Sequence, residues 1–369
     1  MQTIVYINPD FYTDTDITVL HNLQKSYRVV WFYIYEVFKS NSMRYGEEYV
    51  KAYGKKYGIE TKIYYIKRHG RNPLSYSFYC KIAKDANSYK PDLVYHCIRN
   101  PFWGIAIKTT LKCRNVVMGI HDAQAHSYTL SITSILNKLF RDVILKFHKN
   151  YITFSPNQHD LFKKNYGFDS AMVGMSCKDF GKSDKTVQPI CEGINLLFFG
   201  GIHLYKGLDL LIRAMEELRT KYQVKNIKLT IAGRGPHWEE CSQYINTPEM
   251  YDQRIRFIDN SEIPDLMCEA TFLALPYRNA TQSGPLVTAI AYELPIFAPN
   301  YGCFRETYND SSAILYEPDQ LTESLLKLSK ITQTEYDNLK EGCKMVKENN
   351  SEEAIAANYC RYFNELINR

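Results

Sequence analysis

The chain has 369 residues, enough for two domains of ordinary size, and 45% of them are hydrophobic, enough for sizeable cores. No run reaches the ~18 to 20 apolar residues of a membrane span, and the N-terminal MQTIVYINPD lacks the basic start and apolar core of a signal peptide. The ten cysteines show no C-x-x-C pair and no regular spacing, which fits a cytosolic protein with free thiols better than a disulfide scaffold or a zinc site. The formal charge of +5 conceals a split: residues 1–185 carry 27 Lys+Arg against 15 Asp+Glu, and residues 186–369 carry 18 against 25, balances of +12 and −7. A basic first half suits an anionic partner such as a membrane surface, or is simply a basic solvated face. No nucleic-acid-binding motif is present, so nucleic acid is not an expected partner.

In chain order, Thr3 to Ile7 reads as a short strand closed by Asn8-Pro9. Asp14-Thr15-Asp16 is a D-x-D by letter, a pattern that can hold a metal. It directly precedes the amphipathic ITVLHNLQKSY, which makes Asp16 an N-cap on the simpler reading. VVWFYIYEVF has strand character, a basic Tyr-rich segment fills 39–71, and Tyr64 to Ile66 reads as strand within it. Val116 to Ile120 is a buried strand that runs into His121-Asp122, and a polar pair at the carboxyl end of a strand is where α/β proteins keep reactive groups. A satisfied histidine beside a loop is the competing reading. His121 and His126 lack a convincing third ligand, so no metal is expected. Tyr151 to Ser155 is a further strand, and NQHDLFKKNYG a helix ended by Gly167.

Residues 176–192 lack periodicity and mix charge, Gly and Pro, which places the domain linker there. Ile194 to Phe199 is a strand, apolar but for Asn195, closed by Gly200-Gly201. Leu208, Leu211, Ile212, Met215 and Leu218 then form one helical stripe, with Lys206-Gly207 at its start. A lysine beside a helix N-terminus after a glycine-rich strand end is a candidate phosphate site, or else a solvent lysine. The segments 227–233, 255–259, TFLALP (271–276), 295–299 and 313–316 read as five more strands, with Arg234-Gly235-Pro236 after the first of them. Between two of them, Ser283 is a good N-cap, Pro285 suits a first helical turn, and Leu286, Ala289, Ile290 and Leu294 recur at helical spacing. Strands alternating with helices predict an α/β fold with a doubly wound parallel sheet, in which the loop before Ser283 lies at a ligand-binding strand end. The last stretch is an amphipathic helix capped at Ser351.

LLFFGGIHLYKGLDLLIRA, KLTIAGRGP, NATQSGPL with the helix and LPIFAP that follow it, and Gly302-Cys-Phe-Arg-Glu306 occur in that order. In them the second half, over about 194–318, resembles the donor domain of retaining, family-four (group 1) glycosyltransferases. These have the GT-B architecture of two facing Rossmann-like domains. The first half is similar only loosely, through HDAQAH and YITFSPNQHDLFKKNYG. The resemblance implies an acceptor-side domain over 1–185, a nucleotide-sugar donor domain over 186–350 and a closing helix, 351–369, packed back on the first domain.

It further implies a hexosyltransferase-like, metal-independent enzyme with no cofactor. Such an enzyme moves a sugar from a nucleotide-diphosphate donor to a glycan or lipid-linked hydroxyl with retention, in polysaccharide or glycoconjugate synthesis. The place implied is the cytoplasm, at the inner membrane face. His121, Lys206 and Glu306 take catalytic positions. Gly200, Gly201, Lys206, Arg234, Arg278, Thr281, Gln282, Ser283 and Gly284 take donor-binding positions. The sequence departs from the family pattern in having Gly201 where Arg is frequent, and Ala280 and Thr288 where paired glutamates stand. Arg278, Thr281 and Gln282 are candidate replacements for the lost contacts. Two other readings stay open: a nucleotide-sugar epimerase of similar shape, and a catalytically degenerate glycan-binding protein.

Overall fold

The computed structural model describes residues 1–37, 45–67, 72–121, 123, 142–280 and 282–369. The chain divides into two compact units, one of residues 1–176 with 352–369 and one of residues 177–351.

The first unit is built on a seven-stranded, all-parallel sheet. Its strands are β1 (Thr3–Pro9), β2 (Arg28–Glu36), β3 (Glu60–Ile66), β4 (Leu93–His96), β5 (Val116–Ile120), β6 (Asn150–Thr153) and β7 (Ala171–Met172), in spatial order β3-β2-β1-β4-β5-β6-β7. Every residue of β1 is buried, and so are Val29 to Tyr35 of β2, because helices cover both faces of a parallel sheet and leave no solvent side to alternate with. The helices are α1 (Thr13–Leu23), α2 (Glu47–Tyr57), α3 (Ser75–Ser88), α4 (Pro101–Thr109) and α5 (Pro156–Tyr166). The last helix of the chain, Glu352–Ile367, belongs to this unit. It buries Ile355, Tyr359, Phe363 and Leu366 among Leu20, Leu23 and Tyr27, and the Tyr27 hydroxyl donates to Asn364 Oδ1 at 2.7 Å.

The second unit carries a six-stranded parallel sheet. Its elements are β8 (Ile194–Phe199), α6 (Leu208–Lys221), β9 (Ile227–Ala232), α7 (Trp238–Ser242), β10 (Tyr251–Arg254), α8 (Ile263–Glu269), β11 (Phe272–Ala274), α9 (Gly284–Ala291), β12 (Ile296–Pro299), α10 (Gly302–Thr307), β13 (Ala313–Tyr316), α11 (Leu321–Leu328) and α12 (Gln333–Asn349). The strand order is β10-β9-β8-β11-β12-β13. The chain therefore winds outward from β8 to β10, returns, and winds outward the other way from β11. The reversal leaves a crevice beyond the carboxyl ends of β8 and β11, where doubly wound sheets bind ligands. Two Rossmann-like units with parallel sheets are the GT-B arrangement of elements.

Two local expectations need correction. The strand expected over 255–259 lies four residues upstream, at Tyr251–Arg254. Its pairing stops at Arg254↔Ala232 because β9 ends there. The Arg256 N–H then turns back to the Arg254 carbonyl at 2.9 Å, and Asp259 and Glu262 form a capping box for the next turn. Asp16, expected as an N-cap, sits inside α1, which begins at Thr13. Its carboxylate is turned inward and accepts from the Tyr6 hydroxyl at 2.9 Å and from Asn8 Nδ2 at 2.7 Å, while Oδ2 is buried without a partner.

Burial pushes the Asp16 carboxyl up from 3.8 to about 8. The folded chain then holds a proton that the unfolded chain releases, so this contribution to stability is full below pH 3.8 and fades as pH rises through about 8. Asp16→Asn keeps both accepted hydrogen bonds and cannot ionise. Relative to the wild type, it is expected to gain at least about 1.4 kcal/mol between mildly acidic and mildly alkaline pH, the worth of one pKa unit. Denaturant titrations at the two pH values measure this, and parallel pH profiles would show that Asp16 is ionised throughout.

Candidate donor site

Three loops of the second unit converge at the crevice. The first leaves β8 through Gly200 and Gly201 and makes a single helical turn, Leu204–Lys206, before α6. Gly207 ends that turn with φ of +69°, and a methyl group there would stand 1.9 Å from the Pro276 carbonyl oxygen. Only glycine permits both the left-handed backbone and this approach of the β8 loop to the β11 loop. The second loop, Leu275 to Gln282, leads into α9, which Ser283 caps by accepting the Leu286 N–H on its hydroxyl at 3.3 Å. The third follows β12, where the Cys303 N–H donates to the Ala280 carbonyl at 3.1 Å and so ties the start of α10 to the β11 loop.

Lys206 sits where the first two loops meet. It is only 7% exposed, and among the described residues no hydrogen bond or ion pair reaches its ammonium. Nζ lies 5.5 Å from the centroid of the buried Tyr277 ring, a cation–π contact. A methyl group on Gly200 would stand 3.2 Å from that Nζ and 3.4 Å from Pro285 Cγ, so the strand end, the lysine and the first turn of α9 enclose one small space. The Tyr277 hydroxyl is in turn 3.1 Å from Ser283 Oγ, which joins the lysine's support to the helix cap. Nothing stands within 4 Å of where a side chain at Gly284 would begin, so the N-terminus of α9 opens to free space. A buried ammonium with no counter-ion beside an open, positively polarised helix end is a site built for an anion.

The other proposed donor-binding residues separate. The Arg278 guanidinium grips the Asp209 carboxylate with two bonds, at 2.8 and 2.6 Å, and also reaches the Leu204 carbonyl. Its place is thus between the β11 loop and the first turn of α6, and its charge is already matched. The Arg234 guanidinium lies 5.7 Å from the Phe257 ring, beyond the ends of β9 and β10. Gln282 is half-buried, its Nε2 without a partner among the described residues, and Thr281 lies outside them. Ala280 is buried, and the Thr288 hydroxyl donates to the Gly284 carbonyl at 3.2 Å, a bond within its own helix.

Residues 193–330 match the family model described as glycosyl transferases group 1. The matched stretch lies wholly within the second unit. No curated protein matches the sequence. Solved structures match the whole chain at low identity. Anabaena HepE, solved with UDP and glucose, has a TM-score of 0.69 at 13% identity, over 99% of this chain and 99% of its own. Sucrose-phosphate synthase from Thermosynechococcus elongatus has 0.68 at 14%, over 100% of each. A variant of S. aureus TarM, solved with fondaparinux, alpha-GlcNAc-glycerol and UDP, has 0.67 at 12%, over 99% and 100%. At such identities the likeness is one of fold.

In the second unit, Glu306 is an exposed residue of α10. His121 belongs to the first unit, at the carboxyl end of β5. Its ring is stacked between Tyr12 at 4.3 Å and Phe154 at 4.2 Å, with Cys97 Sγ 3.5 Å from Nε2. Asp122 and His126 lie outside the described residues. Sequence reasoning left two contributors to the second unit's crevice unassigned, Tyr277 and Asp209. Tyr277 was visible as the aromatic residue that ends the β11 loop's apolar run. The partner of Asp209 lies 69 residues away, and no local pattern announces it.

Burial pushes the Lys206 ammonium down from 10.5 to about 8. The folded state therefore bears a penalty that is full below about pH 8 and gone by pH 10.5, where the lysine is neutral in both states. Lys206→Met should stabilise the free protein at neutral pH by about 1 to 3 kcal/mol and lose this advantage towards pH 10.5, while abolishing anion binding. Denaturant titration with and without UDP measures both effects, and a less stable mutant that still binds UDP would contradict this placement.

Proposed function

We propose that the protein transfers a sugar from a nucleoside-diphosphate sugar to a hydroxyl of a glycan or lipid-linked acceptor, with retention and without a metal. The observation that carries this reading is the buried ammonium of Lys206, unpaired among the described residues, at the reversal of the strand order beside the open start of α9. In such a transfer the bond from the anomeric carbon to the diphosphate oxygen breaks and a bond to the acceptor oxygen forms. The acceptor loses its proton, and the diphosphate leaves with added negative charge. Lys206 and the N–H groups opening α9 are fixed in place before the reaction, so they can meet that charge without reorganising, an effect worth roughly 2.7 to 4 kcal/mol per donor in related cases.

The solved likenesses that hold UDP support a nucleotide donor, and the match to the group 1 family supports transfer. The basic surplus of residues 1–185 supports an anionic membrane surface, at the cytoplasmic side, as the place where the acceptor is met. No helix among the described residues is long and apolar enough to cross a membrane. His121 and Glu306 keep their catalytic parts in this proposal on the family resemblance alone.

UDP or GDP should raise the melting temperature, by the equivalent of about 2.7 kcal/mol at one hundred times the dissociation constant. The monophosphate should raise it much less, and the shift should persist in EDTA. Product analysis with a panel of nucleotide sugars then separates the readings. Diphosphate release that depends on acceptor supports transfer, and conversion of the nucleotide sugar without acceptor identifies an epimerase. Failure of every nucleoside diphosphate to bind would leave a glycan-binding protein.

A further inference from the structure

The β8 loop holds a second basic group that the reading above does not use. His203 is exposed, and its ring turns back over the glycine pair: a methyl group on Gly201 would stand 3.2 Å from both Cδ2 and Nε2 of the imidazole. The ring therefore occupies the space into which a side chain at 201 would extend. It is held from the other side by Tyr205, stacked at 5.8 Å with 17° between the planes. Among the described residues the Gly201 N–H has no partner, whereas Gly200 and Ile202 on either side donate to Ala232 and Arg234 carbonyls at 2.9 and 3.1 Å. An unused N–H and an imidazole thus sit on the same glycine step that carries Lys206 on its other residue, Gly200.

On the reading that this crevice binds a nucleoside-diphosphate sugar, we propose that His203 is a second phosphate-binding group, which takes up a proton as the diphosphate enters. A diphosphate bridging two sugars carries two negative charges, and Lys206 supplies only one fixed positive charge. The groups facing His203 are Lys206 on its own loop, the Tyr205 ring, and His237 on the loop after β9, whose ring centroid is 6.2 Å away. The Arg234 carbonyl borders the same glycine, while its guanidinium is turned to Phe257. No carboxylate faces the ring among the described residues. In the free protein, burial first, then Lys206 and His237, hold the His203 imidazole below its ordinary 6.5, so it is largely neutral near pH 7. An arriving dianion reverses the local potential and raises it. Binding then takes up a proton, and affinity falls as pH rises through the window between the two values.

The test is isothermal titration of the full chain with whichever of UDP-glucose and GDP-mannose binds more tightly. Their diphosphates do not titrate between about pH 5 and 6.5, and Lys206, pushed down only to about 8, keeps its charge over that range. Repeating the titration in buffers of different ionisation enthalpy counts the protons taken up. The wild type should bind roughly 3- to 10-fold more tightly at the acid end and take up a fraction of a proton. His203→Gln should bind as the wild type does at the alkaline end, with no uptake and no pH dependence. His203→Arg should bind tightly at both ends. His237→Gln should keep the wild-type profile. If His203→Gln retains the proton uptake and the pH slope, the inference is overturned while the donor-binding reading stands. If the wild type binds neither nucleotide sugar, both fall together.

Discussion

The second unit is organised around one uncompensated charge. Lys206 lies under the Gly200 backbone and over the face of Tyr277, excluded from water and answered by no carboxylate among the described residues. Leaving an ammonium in that state is unfavourable, and a fold selected for stability alone would replace it with an apolar side chain. The surrounding bonds keep it unanswered. Asp209, three positions further along the chain, is taken by Arg278, a pairing that matches its charge and at the same time fastens the β11 loop to α6. The unit has spent its available acid on architecture and reserved its buried base for a ligand.

The same economy governs the backbone. The β8 and β11 loops approach so closely at Gly207 and Pro276 that no Cβ fits between them, and the Arg278 N–H donates to the Tyr205 carbonyl at 2.7 Å across the same gap. Ser283 links the cap of α9 to Tyr277, and Tyr301 donates its hydroxyl to the Tyr277 carbonyl. Position at the crevice is thus fixed by main-chain contacts, by the ring side chains of Tyr277 and Tyr301 and by the paired Arg278 guanidinium, which suits electrostatic preorganisation. The resemblance-based departures fit this picture. Thr288 is absorbed into its own helix, Ala280 contributes only a carbonyl, and the space at Gly201 is filled by the His203 ring.

What the sequence made legible follows from the same physics. Strand β8 could be read to its exact ends because a central parallel strand is almost wholly apolar, Asn195 being its one polar residue, and glycines mark its close. The Ser283 cap and the Pro285 first turn are local signals, and they stand in the structure where the letters put them. The strand expected at 255–259 failed because its apolar letters share no buried face, Ile258 being buried and Phe257 exposed, whereas the polar Tyr251–Arg254 forms the edge of the sheet, where one side need not be buried. Asp16 failed because a carboxylate near a helix start reads as a cap whether it faces water or the core. The burial of Lys206, its contact with Tyr277 and the capture of Arg278 by Asp209 depend on residues about 70 positions apart, which a single sequence does not bring together.

The central claim is that Gly200, Gly201 and the opening of α9 form one diphosphate site. The direct measurement is the amide spectrum of protein labelled with nitrogen-15 at glycine, titrated with UDP. The account predicts that the Gly200, Gly201 and Gly284 amides shift together on one saturation curve, while Gly46, Gly58 and Gly342 stay still. Shifts confined to glycines outside the crevice, or a saturable UDP titration that leaves Gly284 unmoved, would contradict it.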